Sequence, residues 1–424
     1  MILGRVGGVS TPAAGPGPEA DSSEGAAVAG DVVGPVEVGP IAHGGHCVAR
    51  LEGRVIFVRH AIAGELVTVR LTDVSKARFW RGDVAEVLTA SPHRVRPPCP
   101  VAGHCGGCDL QHVDPAHQRE LKRRVVAEQL QRLAGISWDG RVEEHGDPLG
   151  WRTRMRYVTE TGMAGLRAHR SHEVVELPPG GCRIAATEGP DVDTLHVLAR
   201  EAGGEDMHVA VADPVSVVAG RDVLSGRRNV RERLGDRVLG VATDGFWQPH
   251  REAPAVLTKA VLKALKPQPG EIALDLYCGV GLFASVLAER QVTVYGVELD
   301  RRAANSGARN VPEAEILQGS VDKCLRDLPS QVDLIVLDPP RTGAGEKVVR
   351  ALAALGARAI AYVACDPAAL ARDLATFAEL GWVSESIRAF DLFPMTHHIE
   401  ALALLRPADQ ITTSHQSEHT TQEN

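Results

Sequence analysis

Two regimes of hydrophobic patterning divide the chain. From Val36 to about Leu88, short β-branched runs alternate with glycine-bearing turns, as in "VEVGPIAHGGHCVARLEGRVIFV". Strands at such close, regular spacing predict a small β-barrel. After Arg251 strands alternate with helices: "EIALDLYCGVGLFASVLAE" reads as strand, glycine turn and helix, and "TVYGVELD", "AEILQGS", "VDLIVLDPP" and "AIAYVAC" are further strands. "SIRAFDLF" and "IEALALL" close the series. That order predicts an α/β domain with a mostly parallel, doubly wound sheet. Between the two regimes lie a helix from about Pro115 to Leu133 and the segment "WRTRMRYVTE". Its alternation puts Arg152, Arg154 and Arg156 on one strand face and Trp151, Thr153, Met155 and Tyr157 on the other.

Composition places these elements in an ordinary globular protein. The chain has 424 residues, 44% hydrophobic and 24% charged, enough for two or three domains. It has no charged leader followed by an apolar stretch and no apolar run of roughly 18 residues, so a cytoplasmic protein without a membrane segment is expected. A monomer is expected. The net charge of −8 argues against indiscriminate binding of polyanions. Local charge changes that picture: Pro40 to Pro98 holds nine Arg or Lys against five Asp or Glu. With this basic barrel upstream, the arginine face at 152–156 reads as a phosphate-binding stripe. Residues 1–35 and 407–424 carry the composition of disordered tails.

Candidate chemistry gathers at the ends of the later strands. Cys365 sits where "AIAYVA" gives way to a helix, with Asp366 as N-cap and Pro367 as the first helical residue. The positive end of the helix favours a thiolate, while Asp366 opposes it. Alone, Cys365 reads more readily as a small buried hydrophobe than as a nucleophile. In "DLYCGVGLF", Gly279 and Gly281 let backbone approach a ligand at the carboxyl end of the first strand. Glu298 ends the second strand about twenty residues on, placed to accept hydrogen bonds from ribose hydroxyls. No GK[ST] phosphate loop is present, which points from ATP or NAD toward S-adenosylmethionine. The fourth strand ends in "LDPPRTG", a rigid turn that aims Asp338 into the same crevice, with Arg341 close by.

Four of the eight cysteines form a separate set. Cys99, Cys105 and Cys108 lie together in "CPVAGHCGGC", and Cys182 follows in "GGCRIA". Four thiolates suit either zinc or a [4Fe–4S] cluster.

In these motifs, over roughly residues 36 to 406, the chain resembles the S-adenosylmethionine-dependent RNA 5-methyluridine methyltransferases. The resemblance implies a TRAM-type barrel at 36–90, a central α+β domain with an iron–sulfur site at 91–245, and a Rossmann-like methyltransferase domain at 246–406. It implies Cys99, Cys105, Cys108 and Cys182 as cluster ligands, which favours [4Fe–4S] over zinc. "YVACDP" resembles the family's nucleophile motif with Cys365, and "PMTHHIEAL" the segment with its general base, Glu400. "DGFWQPHREA" resembles its motif with a target-facing Gln248. Gln248, Tyr277, Gly279, Gly281, Glu298, Ser320 and Asp338 are the expected cofactor contacts, Gln248 and Asp338 facing either cofactor or base. Two positions depart: His250 stands where the family usually has asparagine, and Ser320 where an acid or amide often contacts adenine.

The implied reaction is methylation at C5 of one uridine in a structured RNA, either ribosomal or transfer RNA, with ribosomal RNA favoured. Such chemistry needs a thiolate to add at C6, because uracil C5 is a poor nucleophile until that addition makes it an enolate carbon. It also needs a base to remove the C5 proton. The alternatives are methylation of cytidine C5, which normally uses a Pro-Cys motif on the fourth strand, and a non-catalytic RNA-binding or RNA-folding module.

Overall fold

The computed structural model describes residues 27–410. The tails expected at 1–35 and 407–424 fall largely outside that range. Within it, the first strand begins at Val32 and the last runs to Pro407, so both ordered boundaries lie slightly beyond the expected ones. Strands β1 (Val32–Ala42), β2 (His46–Leu51), β3 (Arg54–Arg59), β4 (Leu66–Asp73) and β5 (Phe79–Thr89) close a barrel in the order β1-β2-β3-β5-β4. Alternation fills it: Val36 and Val38, Ile56 and Val58, and Val67, Val69 and Leu71 all point inward and are buried.

The middle of the chain contributes α1 (Pro115–Ala134), β6 (Val142–Glu144), β7 (Arg154–Tyr157), β8 (Gly165–Arg167), β9 (Val174–Glu176) and α2 (Val192–Glu201). It continues through β10 (Met207–Ala210), β11 (Ser216–Ala219), β12 (Asp222–Ser225), β13 (Asn229–Leu234) and β14 (Arg237–Ala242). A sheet in the order β12-β11-β10-β7 and the hairpins β8–β9 and β13–β14 make up this part. The alternation at β7 is as expected, with Trp151, Met155 and Tyr157 buried. The arginine stripe is not a free phosphate-binding face. Arg154 is half-buried and paired with Glu232 at 2.5 Å, Arg156 is paired with Asp206, and the Arg152 Nε donates to the Arg154 carbonyl at 3.0 Å. Burial of Arg154 has to be compensated, and a carboxylate distant in sequence supplies the counter-charge.

The last part comprises α3 (Ala253–Leu265), β15 (Ile272–Leu276), α4 (Leu282–Ala288), β16 (Thr293–Glu298), α5 (Arg301–Asn310), β17 (Glu315–Gln318) and α6 (Val321–Cys324). It ends with β18 (Leu334–Leu337), α7 (Glu346–Ala353), β19 (Ala359–Ala364), α8 (Pro367–Glu379), β20 (Trp382–Asp391) and β21 (Glu400–Pro407). The sheet order is β17-β16-β15-β18-β19-β21-β20-β6, parallel from β17 to β19, with β21 antiparallel to both its neighbours. Its central strands β18 and β19 are apolar throughout because both faces are covered. Leu334 and Val336 enter the core under α3 and α4, while Ile335 and Leu337 enter the one under α7 and α8. The eighth strand is β6, which pairs with β20, and α1 packs on α8, so a helix and a strand from the middle segment complete this sheet. Among the described residues, no helix is long and apolar enough to cross a membrane.

A buried ion pair fixes α1 to that sheet. The Lys122 ammonium donates to Asp391 at 2.6 Å and to the Phe393 carbonyl at 3.0 Å, with side-chain exposures of 2% and 5%. Removing one partner strands the other charge in the core, so Lys122→Met should cost about 3–5 kcal/mol. A urea titration should show a lowered midpoint, largely restored when Asp391→Leu is added; an unchanged midpoint for Lys122→Met would contradict this account.

Candidate active site

The carboxyl ends of the parallel strands open onto a crevice of about 1390 Å³. β15 leads into Tyr277, in the left-handed region at φ +66°, and then the glycine loop. Gly281 has φ +92°, and a Cβ there would lie 2.9 Å from Val311, so the loop depends on glycine. Glu298 accepts the Gly279 N–H at 2.9 Å and the Asp300 N–H at 2.7 Å. Its carboxylate braces the loop, and its remaining lone pairs are available to a ligand. Tyr277, Gly279, Glu298 and Ser320 all border this end of the crevice. These four expected cofactor residues are therefore brought together, while Gly281 shapes the loop without lining the crevice, and the glycine cradle beside a carboxylate fits a nucleoside-type cofactor.

The other end holds the expected nucleophile and base. Asp338 follows β18, Cys365 follows β19 and Glu400 opens β21, three adjacent strands. Because β21 is antiparallel, its first residue lies at the same sheet edge as the last residues of its neighbours. Gln248, in the connection between β14 and α3, donates from Nε2 to Asp338 Oδ2 at 3.3 Å. All four line the crevice, together with Arg341 and His398.

Burial controls the protonation of this cluster. It pushes the Asp338 carboxyl up to about 7. Burial, and then the charge of Asp338, hold Glu400 well above the usual carboxylate range. Burial, then Glu400 and Asp338, push the Cys365 thiol up to about 12. Asp366 does cap α8, accepting the Ala369 N–H at 2.8 Å, but the helix end does not make Cys365 a resting thiolate. Burial pulls His398 down to about 3, so its Nε2 accepts from Arg341 at 3.2 Å. His397 is held by Asp109 at 2.6 Å.

Several contributors escaped the sequence reading. Asp373, on α8, accepts from the Tyr362 hydroxyl at 2.6 Å and the Ala344 N–H at 2.7 Å, clamping the loop after the Asp-Pro-Pro turn. Phe246 and Leu299 stand on the crevice rim with exposures of 71% and 66%, which is high for apolar side chains and fits contact with a bound group. The only sequence signal for Phe246 was its place beside Gln248. His250 does not reach the crevice: its Nδ1 accepts the Glu252 N–H at 3.0 Å and its ring stacks on Trp151.

Cys99, Cys105, Cys108 and Cys182 converge on one small cavity, as their sequence grouping suggested. Burial pushes Cys108 up to about 12 and raises Cys105 and Cys182 as well. The expected metal site stops at that point. Among the described residues, no group of three or more His, Cys, Asp or Glu side chains is arranged to hold a metal ion.

Comparison with known proteins adds a lineage to this geometry. Residues 325–407 match the tRNA (Uracil-5-)-methyltransferase family, 33–85 the TRAM domain and 255–364 the methyltransferase small domain. The chain is 48% identical to an uncharacterized RNA methyltransferase of Streptomyces avermitilis, covering 88% of this chain and 98% of the relative. It is 30% identical to the 23S rRNA (uracil(1939)-C(5))-methyltransferase RlmD of Pseudomonas entomophila, over 86% of this chain and 91% of that one. Among solved structures, the tRNA (uracil-54, C5)-methyltransferase of Pyrococcus abyssi, in complex with S-adenosyl-L-homocysteine, shares the fold. Its TM-score is 0.66 and its identity 22%, over 87% of this chain and all of that one.

The electrostatics give a direct test. Alkylation of Cys365 by iodoacetamide, followed by peptide mass spectrometry, should have a pH midpoint far above that of an exposed cysteine. Glu400→Gln and Asp338→Asn should each lower it, because each removes a negative charge that opposes the thiolate, and Arg341→Ala should raise it. A wild-type midpoint near that of an exposed thiol would refute the assigned environment.

Proposed function

The chain belongs to the S-adenosylmethionine-dependent RNA 5-methyluridine methyltransferases, and from that membership we propose that it methylates C5 of one uridine in a structured RNA through a covalent bond from Cys365. The observation that carries the reading is the convergence of Cys365, Glu400, Asp338 and Gln248 in the crevice that also contains the glycine loop. Bound S-adenosylmethionine supplies an electrophilic methyl group, and Tyr277, Gly279, Gly281, Glu298 and Ser320 are the residues that would hold it.

Cys365 gives up its proton to water as the base is seated and adds to C6, and the displaced electron pair makes C5 nucleophilic. Once the adduct has consumed the thiolate charge, Glu400 releases its own proton to water. After C5 has taken the methyl group, the Glu400 carboxylate removes the C5 proton. The electrons of that C–H bond restore the ring double bond and expel the Cys365 thiolate. Gln248 and Asp338 hydrogen-bond the N3–H and O4 edge of the uracil; an Asp338 poised near neutrality can donate or accept there. A base inside a duplex cannot reach this crevice, so the target is unstacked and rotated out. Ribosomal RNA is favoured by the name of the Pseudomonas entomophila relative.

The four cysteines at the shared cavity are proposed to hold a [4Fe–4S] cluster, in a structural or RNA-positioning role. Each iron of such a cluster takes one thiolate, which distinguishes its ligand set from one that converges on a single ion. Metal binding would have to displace the protons that burial retains on Cys105, Cys108 and Cys182.

Two experiments test these readings. Glu400→Gln should let the thiol add and the methyl transfer but stall at proton loss, so labelled RNA should appear as a slow-migrating protein–RNA band on a denaturing gel. Cys365→Ala should give no band and no methyl transfer; free turnover by either variant would overturn the assigned roles. Protein purified without oxygen should be brown and contain iron and sulfide, and stoichiometric zinc without iron would replace the cluster with a zinc site.

A further inference from the structure

The thiol of Cys365 is reachable from a second side. A cleft of about 220 Å³ lies between the barrel and the catalytic loop, lined by Ala42, His43 and Gly44 of the β1–β2 turn and by Asp366 and His397. Cys365, Arg341 and His398 form the wall that it shares with the larger crevice. Gln248, Asp338 and Glu400 line only the larger one. The barrel's rim is fixed against the catalytic segment. His43 Nε2 lies 3.0 Å from Asp366 Oδ2, and a Cβ on Gly45 would come within 2.6 Å of the His397 Cβ, so the turn rests its backbone on His397.

Uracil chemistry gives this cleft an occupant. C6 is bonded to C5 on one side and to N1 on the other, and N1 carries the ribose, so the sugar begins two bonds from the atom that Cys365 attacks. The N3–H and O4 edge is on the opposite side of the ring. Seating that edge on Gln248 and Asp338 with C6 against Cys365 turns N1 toward the shared wall. Arg341 offers a charge there: its hydrogen-bond partner is the neutral ring of His398, and among the described residues no carboxylate is paired with it. Lys122, also at this cleft, is already committed to Asp391. We propose that the second cleft receives the ribose and phosphate of the target nucleotide, so that the barrel turn at 42–44 is part of the substrate site. This rests on the covalent uridine reading above.

The test uses ribosomal RNA transcribed with 5-fluorouridine. Addition of Cys365 and methyl transfer can proceed on the fluorinated base, but the C5 fluorine cannot leave as a cation, so the adduct persists and is counted on a denaturing gel. Ala42→Phe fills the cleft from the barrel side, away from the reacting groups. It should slow trapping by about 100-fold or more, the scale expected for a displaced reactant, while S-adenosylmethionine binding measured by calorimetry is unchanged. Val223→Phe, which adds an aromatic ring on an exposed strand away from both clefts, should trap at the wild-type rate. If Ala42→Phe fails to bind cofactor and so is misfolded, His43→Glu decides: a carboxylate at the rim should slow trapping by repelling the phosphate. Wild-type trapping by a folded Ala42→Phe or by His43→Glu would overturn the subsite and leave the uridine reading standing. Failure of the wild-type protein to trap this RNA would overturn that reading itself.

Discussion

Three acidic groups share one poorly solvated crevice, and they cannot all be charged at once. Asp338, Cys365 and Glu400 each resist ionisation because burial removes water, and each ionised neighbour raises the cost for the others. The free protein therefore stores protons on the groups that the proposed chemistry uses. A resting thiolate beside bound sulfonium would invite side reaction, whereas a thiol that loses its proton only as the base is seated ties nucleophile activation to substrate. The same like-charge arrangement makes Glu400 a stronger base than an exposed glutamate once it is ionised.

The fold exists, in large part, to bring those groups to one edge. Consecutive parallel strands deliver Asp338 and Cys365 at their carboxyl ends, and only a strand running the other way could deliver Glu400 from its beginning. β21 does this between β19 and β20. Behind the edge, Asp373 clamps the loop after Asp338, and the Lys122–Asp391 pair anchors α1 near the segment that carries His397 and His398. The barrel then closes the thiol side of the site through its β1–β2 turn. The barrel and the proposed catalytic centre thereby meet where His43 lies against Asp366.

Much of this was legible in the sequence because the reactive residues sit at strand ends, where hydrophobic runs stop abruptly. "YVACDP", "LDPPRTG" and "HHIEAL" announce both a strand boundary and a functional group. What stayed hidden depends on partners far away in sequence. Arg154 and Arg156 read as a cationic stripe because Glu232 and Asp206, which neutralise them, lie in other elements. Three-residue β6 carries too little periodicity to be recognised, and nothing local shows that it completes a sheet whose other strands begin at Ile272. His250 looked like a departure at a contact position, but its stacking on Trp151 makes it part of the scaffold. The cysteine grouping was legible as a set, while its ligand was not, since four thiols state a capacity and not an occupant.

The central claim is that the C5 hydrogen of one uridine leaves as a proton for each methyl group delivered. Ribosomal RNA carrying 5-tritiated uridine and S-adenosylmethionine with a carbon-labelled methyl measure both events in one reaction. The account predicts that tritium appears in water in step with methyl incorporation, one for one, and that Cys365→Ala releases none. Methyl incorporation with tritium fully retained would mean that another atom of the RNA accepts the methyl group, and would contradict the account.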